Sequence, residues 1–401
     1  MNSNIKIGIL PNQYRKEDGT FDKEEAIKLS GKIAGVCYDR EGFEHLENEP
    51  EERTNRRINM TLNNGHHSVY DHINLSLNLQ NIPKMLAMVI NNEHQYTTSE
   101  KSARYTPVVR GDNSPITLKE EELYNKWIEI FKIKIKEKYG HIYNDSKILK
   151  LAQENARYLV TVFMPTQMIY TTSLRQINYI ASWMLEYGFD RGFTKNSEFD
   201  DKLIGSMAGF VNELDKLNIL EPGLIKNEKH RKLSLFGENL DRKEEYFGDV
   251  YSTNYKGSLA QLAQAQRHRT LDYQMEFLND KEYFIPPILE DDKALVEEWL
   301  ADMEQVKNVT PQGELVNINE LGKYEDFILK CKERLCTSAQ LEIARQTRET
   351  LLKYKKSLED NNHPLKDDIQ KYSKGARCTF PDFECSSDCK FGEGKRLIRK
   401  I

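Results

Sequence analysis

The chain is predicted to be an α+β protein of two homologous domains, each a small antiparallel sheet with packed helices. Three observations point there. His72 to Leu79 (HINLSLNL) alternates apolar and polar side chains, the period-2 pattern of a half-buried strand. Several segments carry apolar residues at helical spacing instead. The order strand, helix, loop, helix also occurs twice, with an offset of about 190 residues, which marks a domain duplication and not a short-period solenoid. A chain of 401 residues is in any case long for a single core.

In chain order, residues 24–37 (EEAIKLSGKIAGVC) have the helical period. After the strand at 72–79, Pro83 opens a helix, PKMLAMVINNEHQY, with proline in its first turn. A charged loop leads to a long amphipathic helix at 118–138, and 149–160 is also helical. The segment TVFMPTQMIYTTS is β-rich, and a helix follows at 174–186. Residues 187–245 are polar, with a turn at Glu221-Pro222-Gly223, and read as a connection holding one helix at 199–216. The order then recurs: a strand at 246–255, a helix at 258–269, a break at Pro286-Pro287, and helices at 292–305, 324–334 and 337–356. The expected division is a first domain at 1–190, a connection at 191–240, a second domain at 241–360 and a cysteine-containing tail at 361–401.

Composition narrows the functional classes. Hydrophobic residues at 38% and charged residues at 30% fit a soluble, helix-rich globular protein. No apolar run reaches the roughly 18 residues of a membrane span. The start, MNSNIKIGILPNQYRK, has no apolar stretch with a small-residue cleavage site, so a cytoplasmic protein is expected. A formal net charge of -5 gives no bulk attraction to nucleic acid or to an anionic membrane. Phosphate binding must then come from local arginines. The 6 cysteines are expected as reduced thiols. Cys378, Cys385 and Cys389 cluster, but their spacing is not that of a standard zinc knuckle; no metal is assigned, and both plain thiols and a zinc site with a fourth ligand elsewhere stay open. The end, KRLIRKI, reads as a solvated basic tail.

Two segments concentrate chemistry. One is Glu100-Lys-Ser-Ala-Arg-Tyr105, just after a helix; the other is Gln264-Ala-Gln-Arg-His-Arg269, at the end of the corresponding helix of the second half. Arg267, His268 and Arg269 place cationic and polar groups at one helix terminus, where they can grip a diphosphate or a nucleotide phosphate through charge-assisted bonds. Taken alone, an Arg-His-Arg run is usually solvated surface. Ser102 has no paired histidine in its motif, so it reads as a hydrogen-bond donor and not a nucleophile. His72 reads as a structural histidine at a strand edge, and Tyr105 as packing.

Together these segments resemble the flavin-dependent thymidylate synthases. That family's signature is G-H-x-[ST]-x-x-[ED]-H, a strand, a helix ending in R-H-R, and a loop close to S-x-N-E-x-S-x-R-Y. The first half has Gly65-His66-His67-Ser68-Val69-Tyr70-Asp71-His72. Its helix ends in Asn92-Glu93-His94 where the family has R-H-R, and the match resumes at Glu100, Ser102, Arg104 and Tyr105. Ala156-Arg157 and Thr171-Thr-Ser-Leu-Arg175 resemble later family segments, with Ser173 where the family prefers asparagine. The second half has the full Q-x-x-R-H-R in Gln264 and Arg267-His268-Arg269, but the loop TLDYQMEF lacks the signature. Arg334 with Ala339-Gln340-Leu341-Glu342-Ile343 resembles R-x-x-x-x-A-Q-W-E-I.

The resemblance implies reductive methylation of dUMP to dTMP with FAD, methylenetetrahydrofolate and NADPH. Without a cysteine attacking C6, the uracil ring must be activated electrostatically, and the arginine that faces the ring in the family corresponds to Arg334. Arg104, Ser102 and Arg157 suit the nucleotide phosphate, Gln264 a uracil edge or ribose, and Glu100, ranked below the arginines, the dUMP sugar or flavin neighbours, with Arg267 also assigned to dUMP. The resemblance assigns Arg267, His268, Arg269, His66, Ser68, Ser173 and Arg175 to FAD. No G-x-G-x-x-G fingerprint is present, which argues against a Rossmann flavin domain. Family members are homotetramers with sites where subunits meet. Each half here keeps motif pieces that the other lacks, which predicts a composite site drawing on both halves and a homodimer imitating the tetramer. The alternatives are flavin-dependent methylation or hydroxymethylation of another uracil nucleotide, and a degenerate paralogue that binds nucleotide or flavin without turnover.

Overall fold

The protein is mixed α+β, with two four-stranded antiparallel sheets and packed helices. The structure is a computed structural model that describes residues 4–102, 107–111, 114–190, 197–226, 230–386 and 388–401. Arg104 and Tyr105 lie outside the described residues.

In chain order the elements are β1 (Lys6–Ile9), α1 (Lys23–Ile33), α2 (Glu51–Asn63), β2 (Asn74–Pro83), α3 (Lys84–Ile90), β3 (Thr97–Glu100), α4 (Leu118–Tyr139), α5 (Asp145–Ala156), β4 (Pro165–Ser173), α6 (Leu174–Asp190) and α7 (Ser197–Lys216). They continue with β5 (Tyr246–Phe247), β6 (Val250–Ser258), α8 (Leu259–Ala265), β7 (Asp272–Phe277), α9 (Lys293–Gln305), β8 (Leu315–Lys323), α10 (Tyr324–Arg334) and α11 (Leu341–Asp360). These fall into two compact units, Met1–Lys101 with Pro165–Leu233, and Ser102–Met164 with Ser234–Ile401. Residues 102–164, expected in the first domain, thus lie in the second unit, and residues 191–233 lie in the first.

The first unit's sheet runs β1-β2-β4-β3. Leu75, Leu77 and Leu79 alternate along β2 and are fully buried, as the period-2 pattern predicts. A bulge follows Leu79, where Asn81 takes φ 55; asparagine is one of the few side chains that tolerate this region. Pro83 ends β2 and caps α3, so the helix opens at Lys84 and stops at Ile90 instead of running on to Tyr96. The segment read as a connection is no mere linker: α7 buries Phe199, Leu203, Met207, Phe210 and Leu214.

The second unit's sheet runs β5-β6-β8-β7, the same order shifted by four strands. All but the first two residues of the loop TLDYQMEF form strand β7, and β8 pairs with it and with β6. The helix expected at 149–160 is α5, Asp145–Ala156, followed by a 3-10 turn at Arg157–Leu159. Helices α4 and α9 pack through Trp127 and Trp299, edge to face at 4.8 Å. Asp302 joins them further, accepting from Trp127 Nε1 at 2.8 Å and pairing with Lys126 Nζ at 2.5 Å. Thr117 and Glu120 form a capping box at the start of α4.

The expected solvated basic end is solvated only in part: Arg396 and Ile398 are exposed, but the last residues turn inward. Arg399 and Ile401 are buried, and the Arg399 guanidinium donates to Ala339 O at 2.6 Å. Burial of one apolar side chain, Ile401, beside one hydrogen-bonded arginine draws these residues in despite the basic composition of the stretch.

Candidate active site

In the second unit, α8 is a short helix that carries the Arg-His-Arg run on the turn after its last residue. Ser258 caps it, accepting from Gln261 N at 3.0 Å. The turn closes with His268 N bonded to Ala265 O at 2.9 Å. That turn leaves Arg267 and Arg269 exposed and points His268 inward, at 4% exposure. Two guanidinium groups beside the carbonyl end of a helix sit in a favourable field.

His268 meets Arg334 from the end of α10. Arg334 Nε donates to His268 Nε2 at 2.6 Å, and its NH2 reaches Gln264 O at 3.5 Å. The imidazole is pushed down to about 2, first by burial and then by the charges of Arg334 and Lys330. It is therefore neutral, with its proton on Nδ1, 3.5 Å from Glu333 Oε2. Arg334, Gln264 and His268, all singled out in the sequence, are thus brought together.

Two buried polar networks support this corner. Glu342 of α11 accepts from Ser258 N at 2.8 Å, Ser258 Oγ at 2.6 Å and Tyr158 OH at 2.9 Å. Burial raises its carboxyl to about 7, against the lowering effect of those donors. Lys330 and Glu320 form an ion pair at 2.6 Å with both side chains fully buried, and Tyr251 and Tyr255 also donate to Glu320, at 2.7 Å and 2.9 Å. Arg157 is 5% exposed on the turn after α5, one residue before Tyr158. Ser102 is half-buried.

In the first unit, Asp71 gathers two expected residues. It accepts from Ser173 Oγ at 2.6 Å and from Arg175 Nε at 3.0 Å, and Arg175 NH2 lies 2.5 Å from its second oxygen. Gly65, at φ 71, makes the turn that leads into His66 and Ser68, both exposed. His67 between them is buried, with Nδ1 2.7 Å from Tyr179 OH and Nε2 3.0 Å from Leu62 O. It is this histidine that has the structural role; His72, expected to be structural, is exposed. Glu100 is engaged by Lys84 Nζ at 2.6 Å and Thr166 Oγ1 at 3.2 Å. At the altered helix end, buried Glu93 binds Arg231, whose guanidinium lies 3.6 Å from the Trp183 ring centre.

Asp71, Glu342 and Tyr158 are the residues that sequence reasoning passed over. The first two stood inside quoted motifs, Asp71 at the acidic position of the first signature and Glu342 as an acid between Leu341 and Ile343, and that was the available signal. Among the described residues, no group of three or more His, Cys, Asp or Glu side chains is placed to hold a metal ion. Cys378 is half-buried, while Cys385 and Cys389 are exposed. Among the described residues, no helix is long and apolar enough to cross a membrane.

Residues 21–186 match the model of the Thy1 family, described as thymidylate synthase complementing protein. The resemblance carried by the motifs is thereby shown over that segment. No curated protein matches the chain. Among solved structures, the crystal structure of a UMP/dUMP methylase, PolB from Streptomyces cacaoi, bound with 5-Br dUMP, is similar at 14% identity. The similarity covers 55% of this chain and 99% of that one, with a TM-score of 0.31.

Proposed function

We propose that this chain methylates the uracil ring of dUMP to give dTMP, as a flavin-dependent thymidylate synthase. The observation that carries the reading is the meeting of Arg334, His268 and Gln264 at the end of α8, beside exposed Arg267 and Arg269. The family match over residues 21–186 supports the same class.

The donor set fits FAD. Exposed arginine forks at a helix end suit a diphosphate, and an uncharged, buried histidine suits an uncharged ring better than an imidazolium would. Arg267 and Arg269 would hold the cofactor in the second unit, and His66, Ser68, Ser173 and Arg175 are the first-unit residues proposed for it. When bound, the reduced flavin supplies the hydride that turns a transferred methylene into methyl. Methylenetetrahydrofolate is the proposed methylene donor and NADPH the proposed reductant.

The chain's own residues then have distinct tasks. Arg334 stabilises negative charge that develops on the uracil ring as C5 becomes nucleophilic. His268, by accepting from Nε, fixes the plane of that guanidinium. Gln264 pairs with a uracil edge or ribose, while Ser102, Arg104 and Arg157 serve the phosphate; Glu100 is placed at the sugar. Each half of the sequence supplies motif pieces that the other lacks, so a homodimer would carry the equivalent of four family domains.

The test is the absorbance spectrum of the purified protein with and without added FAD, followed by dUMP, methylenetetrahydrofolate and NADPH with dTMP scored. Flavin bands and dTMP are expected. Flavin without dTMP redirects the reading to another uracil nucleotide, and no flavin binding rejects it. Substituting Arg267 or Arg104 should each abolish turnover; full activity in either variant contradicts the shared use of both halves.

A further inference from the structure

Helix α8 is held at both ends by the pair α10 and α11. At its tail, Arg334 bonds His268 and Gln264 O. At its head, Glu342 takes both the backbone N–H and the hydroxyl of Ser258. With 7 residues, α8 is a rigid rod about 10 Å long, so fixing its head fixes its tail.

With Glu342 ionised, the head contact has one consistent arrangement of protons. Ser258 Oγ accepts from Gln261 N, so its own proton must go to Glu342. Gln340 Nε2 donates to Tyr158 OH at 2.7 Å, so the phenol proton must also go to Glu342. Every donor runs toward one carboxylate at 7% exposure. A buried acid costs stability that an apolar side chain of similar size would not, so its use here points to placement.

The first unit gives a comparison. Its like-placed helix α3 is capped by Pro83, which makes no side-chain cap bond, and is followed by Asn92-Glu93-His94. The side-chain cap at the head is confined to the helix that ends in Arg-His-Arg.

We propose that Glu342 is a positioning residue: by locking Ser258 at the head of α8 it sets where Arg267, His268 and Arg269 stand at the tail. The inference rests on reading that tail as the flavin-binding end, and it assigns Glu342 no contact with a ligand.

The experiment uses the full-length protein with Glu342→Gln, Ser258→Ala and the double variant. Both hydroxyls donate to one carboxylate oxygen and Ser258 N to the other, so glutamine must turn its NH2 either on both hydroxyls, which then reverse, or on a backbone N–H that cannot. FAD binding, followed by flavin absorbance and fluorescence, is expected to weaken about tenfold in each single variant and no further in the double. Amide hydrogen exchange at 264–269 is expected to quicken in all three, with β8 unchanged. Should Glu342→Gln not fold, Tyr158→Phe, which removes one donor at nearly constant volume, is expected to shift both readouts in the same direction. Lower thermal stability with unchanged FAD affinity and unchanged exchange at 264–269 would overturn the inference, since that is all a merely structural acid would do. If the unsubstituted protein binds no FAD, the functional reading falls, and the exchange data alone still decide whether Glu342 positions the tail.

Discussion

Arg334 Nε donates to His268 Nε2 at 2.6 Å, across 66 residues of sequence. The bond exists only while the imidazole is neutral, and burial beside two cations keeps it neutral. The arginine is thereby turned in a fixed plane, 15% exposed at the side chain, at the end of α8.

Arg334→Lys should therefore fail although it keeps the charge. An ammonium is a point donor and cannot bond His268 and Gln264 O while offering a planar edge to a ring. The expected outcome is a loss of about a hundredfold in kcat/KM for dTMP formation, with the thermal midpoint little changed. Steady-state kinetics beside a melting curve check this, and near-normal turnover in the lysine variant removes Arg334 from the ring-facing role.

His268 and Glu342 should pull stability in opposite directions with pH. The unfolded imidazole takes a proton near its ordinary 6.5, while the folded one does not until about 2. In that window the unfolded state binds more protons, so stability is lost as pH falls. Glu342 is the reverse: the folded carboxyl holds its proton up to about 7, the unfolded one only to its ordinary 4.5, so stability is lost as pH rises through that range. Each effect approaches about 1.4 kcal/mol per pH unit where one proton separates the states. Relative to the unsubstituted protein, His268→Gln should gain stability as pH drops from 6.5 to 4.5, and Glu342→Gln should gain as pH climbs from 4.5 to 7. Urea midpoints across that range measure both slopes. A pair of variants that run parallel to the parent would show that neither group is perturbed as described.

How much of this was legible in the sequence depends on where each residue finds its partner. Strand β2 was readable because Leu75, Leu77 and Leu79 alternate with half-exposed neighbours. Strand β8 was not: it buries Asn319 and Glu320, polar side chains whose partners Ser252, Tyr251 and Lys330 lie on other elements. Pattern reading takes such residues for surface. The Arg-His-Arg run was found, but its division into two outward arginines and one inward histidine is set by the turn after Ala265. Asp71 stood in a recognised motif, yet its hold on Ser173 and Arg175 spans more than a hundred residues and shows only in three dimensions.

The buried ion pair between Lys330 and Glu320 predicts an asymmetric mutational response. Lys330→Met leaves a carboxylate in the core with only hydroxyl donors and should cost about 3–5 kcal/mol. Adding Glu320→Gln removes the stranded charge and should recover much of that loss, because one tyrosine hydroxyl can still donate to the amide oxygen and the other can accept from the amide NH2. Chemical denaturation of the two variants tests this. A double variant as unstable as Lys330→Met alone would mean that the pair itself, and not the isolated charge, carries the effect.

The buried end of the chain leads to a prediction that ties stability to the candidate site. Ile401 is 2% exposed, Arg399 NH2 donates to Ala339 O at 2.6 Å, and Lys400 N donates to Tyr139 OH at 3.0 Å. Ala339 immediately precedes Gln340, the residue that orients the Tyr158 hydroxyl toward Glu342. Removing residues 399–401 exposes one apolar side chain's worth of core and leaves a buried carbonyl without its arginine, together about 3 kcal/mol. Because the orphaned carbonyl sits beside Gln340, the loss should not stay at the terminus. Hydrogen exchange at 335–340 should quicken along with a lower urea midpoint. Arg399→Met, which keeps the apolar stem and removes only the donor, should reproduce the faster exchange with a smaller drop in midpoint. A truncated protein that loses stability but keeps slow exchange at 335–340 would separate the terminus from the Tyr158 and Glu342 network. It would leave that network anchored by α11 alone.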